Sequence, residues 1–306
     1  MTITASMVKE LREITGAGMM DCKKALTETN GDMDKAMELL REKGLAAAAK
    51  KAGRIAAEGL VMDAISQEGK IGALVEVNSE TDFVAKNEDF RSYVTAVAKQ
   101  ATETKATSIE EFLAEPWKEN TSQTVQDVLA EKVGVIGENL SIRRFVKFEA
   151  TQGTIVSYIH GGGRIGVLIE LETEIVNDAV IEAGKNLAMQ VAAVNPQYVS
   201  RDEISEEYIE KERNFLTQQA LNEGKPANIV EKMVIGRLNK SLQEVCLVDQ
   251  AYVKDGDLTV QKYLDGVSKE VGSRVTIKRF VRFETGEGLE KREENFAEEV
   301  AKQMQG

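Results

Sequence analysis

The side chains able to do chemistry are few and far apart. One histidine, His160, and two cysteines, Cys22 and Cys246, supply all the imidazole and thiol groups in 306 residues, and no C-x-x-C spacing occurs. That set cannot complete a His/Cys zinc site, and a histidine-based triad would have to rest on His160 alone. It fits a reducing compartment without a disulfide framework. Gly161-Gly162-Gly163-Arg164 is glycine-rich, but it lacks the Lys-Ser/Thr ending of a phosphate loop and leads into a strand. Gly16-Ala17-Gly18 lacks the third glycine and the preceding strand of a dinucleotide fingerprint. The acidic pairs Glu110-Glu111, Glu206-Glu207 and Glu298-Glu299 sit in charged helical stretches and read as solvated faces. We therefore expect no enzyme: no catalytic residues, no metal site and no cofactor.

A different kind of chemistry, binding, is suggested by the stretch from Asn78 to Asn87, which carries Thr81-Asp82-Phe83-Val84 where a strand gives way to a helix. Two readings are open. Thr81 or Asp82 caps the helix and Phe83 folds into the local core. Alternatively, Phe83 is an exposed aromatic wedge that carries its acidic neighbour into a partner's cleft.

The elements that must position this stretch follow from an internal duplication. The segment Gly69-Lys70-Ile71-Gly72-Ala73-Leu74-Val75-Glu76-Val77 returns 94 positions later as Gly163-Arg164-Ile165-Gly166-Val167-Leu168-Ile169-Glu170-Leu171. Ile142-Arg143-Arg144-Phe145-Val146-Lys147-Phe148-Glu149 returns 135 positions later as Ile277-Lys278-Arg279-Phe280-Val281-Arg282-Phe283-Glu284. The second copy thus holds an insertion of about 41 residues. Each copy opens with a hairpin: Leu60 to Ser66 with Ile71 to Val77, and Thr154 to His160 with Ile165 to Leu171. An amphipathic helix follows, carried by Phe90, Tyr93, Val94, Val97 and Ala101 in one copy and by Val180, Ile181, Leu187, Ala188 and Val191 in the other. Each copy closes with a strand whose alternation, Leu140 to Phe148 and Val275 to Phe283, predicts a half-buried edge. The two copies diverge at the binding stretch, where the second has Glu172-Thr173-Glu174-Ile175-Val176. The fold class is α+β, with two related units and small antiparallel sheets.

Three short helices are expected in the first 44 residues, then an alanine- and lysine-rich helical linker from Leu45 to Ala57. In the insertion, Ser200 with Glu203 reads as a capping box, and two antiparallel helices meet at Gly224-Lys225-Pro226. Such a hairpin either contacts another chain or packs on its own body. With 51 acidic against 39 basic residues the net charge is -12, which disfavours direct nucleic-acid binding. No apolar run is long enough to span a bilayer and no signal sequence opens the chain, so no membrane association and a cytoplasmic location are expected.

Longer motifs are similar to one family over essentially the whole chain. Thr15-Gly16-Ala17-Gly18-Met19-Met20-Asp21-Cys22-Lys23-Lys24-Ala25-Leu26, then Glu76-Val77-Asn78 leading to Thr81-Asp82-Phe83-Val84-Ala85, His160-Gly161-Gly162-Gly163-Arg164-Ile165-Gly166, Gly224-Lys225-Pro226 and Arg282-Phe283-Glu284 resemble, in that order, bacterial elongation factor Ts. The resemblance implies a module like a ubiquitin-associated (UBA) domain with its linker at 1–54 and core subdomains at 55–150 and 151–286. It implies a helical hairpin at about 198–240, for homodimerisation or partner contact, and a short C-terminal helical module at 287–306. It implies guanine-nucleotide exchange on elongation factor Tu, bound with GDP and then nucleotide-free, during translation elongation. It assigns Thr81, Asp82, Phe83 and Val84 to disturbing the partner's Mg²⁺ site and His160 to its phosphate-binding side. A non-catalytic scaffold or adaptor that binds a partner without exchange activity is the alternative.

Overall fold

The computed structural model describes residues 3–290. The expected C-terminal module at 287–306 lies outside the described residues beyond Glu290. The fold is α+β, with small antiparallel sheets.

Three helices come first: α1 (Ala5–Thr15), α2 (Met19–Glu28) and α3 (Met33–Lys51). They close on a small core of Val8, Leu11, Cys22, Ala25, Leu26 and Ala36. The expected break at Gly44 does not occur. Helix α3 runs through it because α3 lies along a later helix, α7 (Val125–Ile136), where a Cβ on Gly44 would come within 3.4 Å of the Ala130 carbonyl oxygen. Arg41 pins this crossing with an ion pair to Asp127 at 2.5 Å.

The first copy of the repeat comprises β1 (Glu58–Ser66), β2 (Ile71–Ser79), α4 (Asp82–Lys86), α5 (Glu88–Glu103), α6 (Ile109–Ala114), a ribbon of β3 (Pro116–Trp117) and β4 (Asn120–Thr124), α7, and β5 (Ser141–Glu149). The second comprises β6 (Thr154–His160), β7 (Ile165–Glu172), α8 (Asp178–Val194), α9 (Glu206–Asn222), α10 (Ala227–Val245), a ribbon of β8 (Ala251–Tyr252) and β9 (Asp255–Thr259), α11 (Val260–Val271) and β10 (Thr276–Glu284). The sheets order as β1-β2-β5 and β10-β7-β6. Both opening hairpins form in the expected register, with Ser66 opposite Ile71 and His160 opposite Ile165.

The sheets face each other, with helices on their outer sides. Val75, Val77, Phe90, Val94, Val97 and Leu129 fill the outer core of the first copy, and Val167, Ile169, Leu171, Leu187, Val191 and Leu264 that of the second. Between the sheets lie Val61, Leu74, Phe148, Ile155, Leu168 and Phe283. Close approach explains the repeated glycine of the first motif. A Cβ on Gly72 would meet Ile155 at 2.6 Å, and one on Gly166 would meet Val61 at 2.4 Å.

The last strand of each copy departs from simple alternation. Register shifts between Ile142 and Arg144 opposite β2, and between Ile277 and Arg279 opposite β7, leave Arg143 and Lys278 as the extra residues of β-bulges. One added residue reverses the faces that follow. Ile142 therefore packs on the helical side while Phe148 enters the space between sheets, and Ile277 and Phe283 divide the same way. The bulge also turns two consecutive cations toward one buried carboxylate. Glu76, with no exposed surface, accepts from Arg143 at 3.0 Å and from Arg144 Nε at 2.6 Å. Glu170, equally buried, accepts from Lys278 at 2.9 Å and from Arg279 Nε at 2.6 Å.

The insertion is a helical hairpin, α9 against α10, with its own seam of Leu216, Ala220, Val230, Val234, Leu238 and Leu242. It extends to Val245, beyond the expected 240. Ser200 and Glu203 do not start its first helix: Ser200 caps a single 3₁₀ turn, Arg201–Glu203, and the Glu203 carboxylate accepts from the Val199 amide at 2.7 Å. Ser205 caps α9 instead, accepting from Tyr208 N. At the base, Tyr198 bridges to Cys246, so the chain enters and leaves the hairpin side by side.

Candidate functional site

The Thr81 stretch leaves β2 and turns into α4 under two constraints. The Thr81 hydroxyl accepts from the Val84 amide, the N-cap expected of a threonine there. The Glu138 carboxylate, from the loop after α7, accepts from the Glu80 amide at 3.1 Å, the Thr81 amide at 3.0 Å and the Thr81 hydroxyl at 2.7 Å. Glu80 reciprocates by accepting from the Asn139 amide at 2.6 Å. Two facing loops thus exchange carboxylates, which fixes the direction in which α4 starts. Nothing local in sequence announces this, since Glu138 lies 57 positions from Thr81.

With Thr81 spent on capping, the remaining side chains divide. Val84 and Ala85 pack on the core of the first copy. Phe83 points outward and is 79% exposed, the most exposed of the large apolar side chains among the described residues. The structure keeps only the cap from the first reading: Thr81 caps the helix, but Phe83 does not fold into the local core and its ring stays outside. Asp82 is ion-paired with Lys86 one turn on, at 2.5 Å. The hydrogen bond from Lys86 holds the Asp82 carboxyl below the usual carboxylate range, so it is ionised at neutral pH. Lys86 also lies 5.8 Å from the Phe83 ring centroid.

His160 ends β6 and is exposed, its Nδ1 3.0 Å from the Tyr158 hydroxyl. The turn after it uses three left-handed residues in a row, Gly161, Gly162 and Gly163, with φ of 58°, 69° and 112°. Only glycine adopts such a run without strain. Gly163 is doubly constrained, because a Cβ there would meet Leu60 at 2.7 Å. The turn is tied to the first copy: the Val61 amide donates to the Gly163 carbonyl at 2.7 Å, and Arg91, in the first turn of α5, donates to the Gly162 carbonyl at 2.9 Å. Arg91 and Glu138 are the two residues that reading the sequence did not single out.

Among the described residues no three His, Cys, Asp or Glu side chains converge as metal ligands do, and no helix is long and apolar enough to cross a membrane. Fold and site together define an α+β protein of two like units that offers an exposed aromatic tip and, tied to it, an imidazole.

Comparison with known proteins carries this further. The family model described as Elongation factor TS matches residues 80–287. Elongation factor Ts of Clostridium botulinum (strain Eklund 17B / Type B) is 59% identical over 302 residues, covering 99% of each chain. Elongation factor Ts of Clostridioides difficile (strain 630) is 60% identical over 302 residues, again 99% of each. The chain belongs to the elongation factor Ts family.

Proposed function

We propose that this chain is a guanine-nucleotide exchange factor that binds elongation factor Tu·GDP, disturbs its Mg²⁺ and phosphate site, and promotes GDP release during translation elongation in the cytoplasm. The observation that carries the reading is Phe83, 79% exposed on a turn that is both capped and clamped. Leaving such a ring in water is unfavourable, and a partner's apolar crevice would recover about 1.5 to 3 kcal/mol on burying it.

An exchange factor needs no acid or base. It must bind the empty GTPase more tightly than the occupied one, and by reciprocity that difference equals the amount by which it weakens GDP. Reversing a 99:1 population takes about 5.5 kcal/mol, more than one side chain supplies. Several contacts must therefore act together. Asp82, held ionised by Lys86, brings a negative charge against the groups that hold Mg²⁺. Loss of the cation leaves the nucleotide phosphates without their counter-charge. His160 meets the partner on the phosphate side. Exposed Met19 and Met20 on α2, together with the second copy, anchor the complex without discriminating between its states.

The deciding experiment is stopped-flow release of a fluorescent GDP from purified elongation factor Tu with and without this chain. Acceleration by the chain supports exchange. Binding with an unchanged GDP off-rate would establish the scaffold reading instead.

A further inference from the structure

We infer that Arg91 is a positioning residue that locks the Phe83 tip and the His160 turn into one rigid unit, so that both reach the partner at a set separation. The inference rests on the exchange-factor reading. Phe83 belongs to the first copy of the repeat and His160 to the second, 77 positions along. Each is held well within its own copy, the tip by Glu138 and the turn by its β6–β7 hairpin. What relates one to the other is a separate matter. Among the described residues, the hydrogen bond from Arg91 to the Gly162 carbonyl, at 2.9 Å, is the one that joins α4 or α5 to this turn. The same nitrogen lies 3.5 Å from the Ala85 carbonyl, near the end of α4, where helix carbonyls lack partners within the helix.

Geometry explains why arginine stands there. Gly163 is already tethered by Val61 and by the Thr285 hydroxyl, at 2.7 and 3.1 Å. Those bonds reach neither Gly161 nor the Gly162 carbonyl, and successive glycines otherwise permit many conformations. Arg91 springs from the turn of helix directly after α4, and its planar guanidinium aims one nitrogen, Nη1, at the carbonyls of both parts. A lysine ammonium carries enough donors for both carbonyls, but on its flexible stem it has no fixed direction toward them. Two contacts presented at a set spacing avoid the ordering cost of bringing each into place on the partner.

The test uses the full chain, elongation factor Tu and fluorescent GDP. Wild type, Arg91→Ala and Arg91→Lys are compared, and Phe83→Ala, His160→Ala and their combination are made in both wild-type and Arg91→Ala backgrounds. We expect Arg91→Ala to lower the maximal release rate about tenfold while the half-saturating concentration changes little, and Arg91→Lys to recover only part of it. In the wild-type background the combined loss should depart from the product of the single losses by about threefold or more, and in the Arg91→Ala background that departure should vanish. Circular-dichroism melting points within a few degrees of wild type exclude simple unfolding. Wild-type release by Arg91→Ala, or equal coupling in both backgrounds, would overturn the positioning role alone. A wild-type chain that fails to accelerate GDP release would overturn the exchange reading and this inference with it.

Discussion

The Arg144 guanidinium lies 4.2 Å from the centre of the Phe283 ring, which belongs to the other copy of the repeat. The converse contact is present too, with Arg279 at 4.0 Å from the Phe148 ring. Each cation meanwhile pairs with the buried glutamate of its own sheet, Glu76 or Glu170. The two copies thus grip each other by a reciprocal exchange of arginine over phenylalanine, related by an approximate twofold. Sliding one sheet past the other would break both stacks at once, each worth about 0.5 to 2 kcal/mol. The turn that bears His160 and the strand that launches Phe83 belong to different sheets, and this exchange helps to keep them in register.

Glu76→Ala should destabilise the protein by about 3 to 5 kcal/mol, because it leaves Arg143 and Arg144 facing a buried site without their anion. Glu170→Ala should act in the same direction but less strongly, because Lys278 and Arg279 are 40% and 43% exposed and stay partly solvated without their anion. Urea denaturation of both variants checks this, and a change under about 1 kcal/mol in either would contradict it.

Phe83→Ala should leave stability within about 0.5 kcal/mol of wild type, as expected of a side chain 79% exposed. GDP release from elongation factor Tu should slow by about tenfold or more, the loss of one buried aromatic contact. Melting curves and stopped-flow traces on the same preparation separate the two effects.

Glu138→Ala removes the acceptor of three hydrogen bonds to Glu80 and Thr81. Faster amide exchange confined to residues 80–84 is expected, with slower GDP release and a small drop in melting temperature. Glu138→Gln keeps one carbonyl acceptor and should fall between. Unchanged amide protection would show that the Thr81 cap suffices alone.

Burial raises the Glu131 carboxyl above its ordinary value of 4.5, although Gln123 donates to it and Arg41 and Lys132 stand nearby, with Asp127 adding repulsion. A raised carboxyl binds its proton more tightly in the folded state, so ionisation costs stability as pH climbs from the unfolded value through the folded one. Glu131→Gln should therefore stabilise the protein at neutral pH, with the gain fading as pH falls through the raised folded value toward about 4.5 and absent below it. A gain that is independent of pH would rule out this cause.

Much of the fold can be read from residue order, because it is local or repeated. The opening hairpins follow from alternation and turn residues, and they pair residue for residue as expected. The ribbons β3–β4 and β8–β9 are not legible in the sequence, although Trp117 and Tyr252 share the 135-position offset of the closing strands, since two-residue strands carry no periodicity. The bulges were hidden for a different reason. An apolar alternation such as Leu140, Ile142, Arg144, Val146 and Phe148 looks uninterrupted in sequence, and only pairing with β2 shows that a residue has been added. The signal that could have found them was the shared glutamate, Glu76 and Glu170, in the midst of runs of valine, leucine and isoleucine. At the site, the Thr81 cap was legible from residue type. The outward turn of Phe83 was one of two open readings, because it depends on what Val84 and Ala85 find beneath them. Arg91 gave no sign at all: its acceptor is a backbone carbonyl 71 positions away.

The bridge between Tyr198 and Cys246 bears on how this chain tolerates change. A loop whose two ends already touch can gain or lose whole turns of helix with almost no entropic penalty to the body that carries it. Length is therefore most freely varied at that doorway, and a short Gly-Ser connector from Tyr198 to Cys246 could replace the projecting arm while leaving both β-layers as they are.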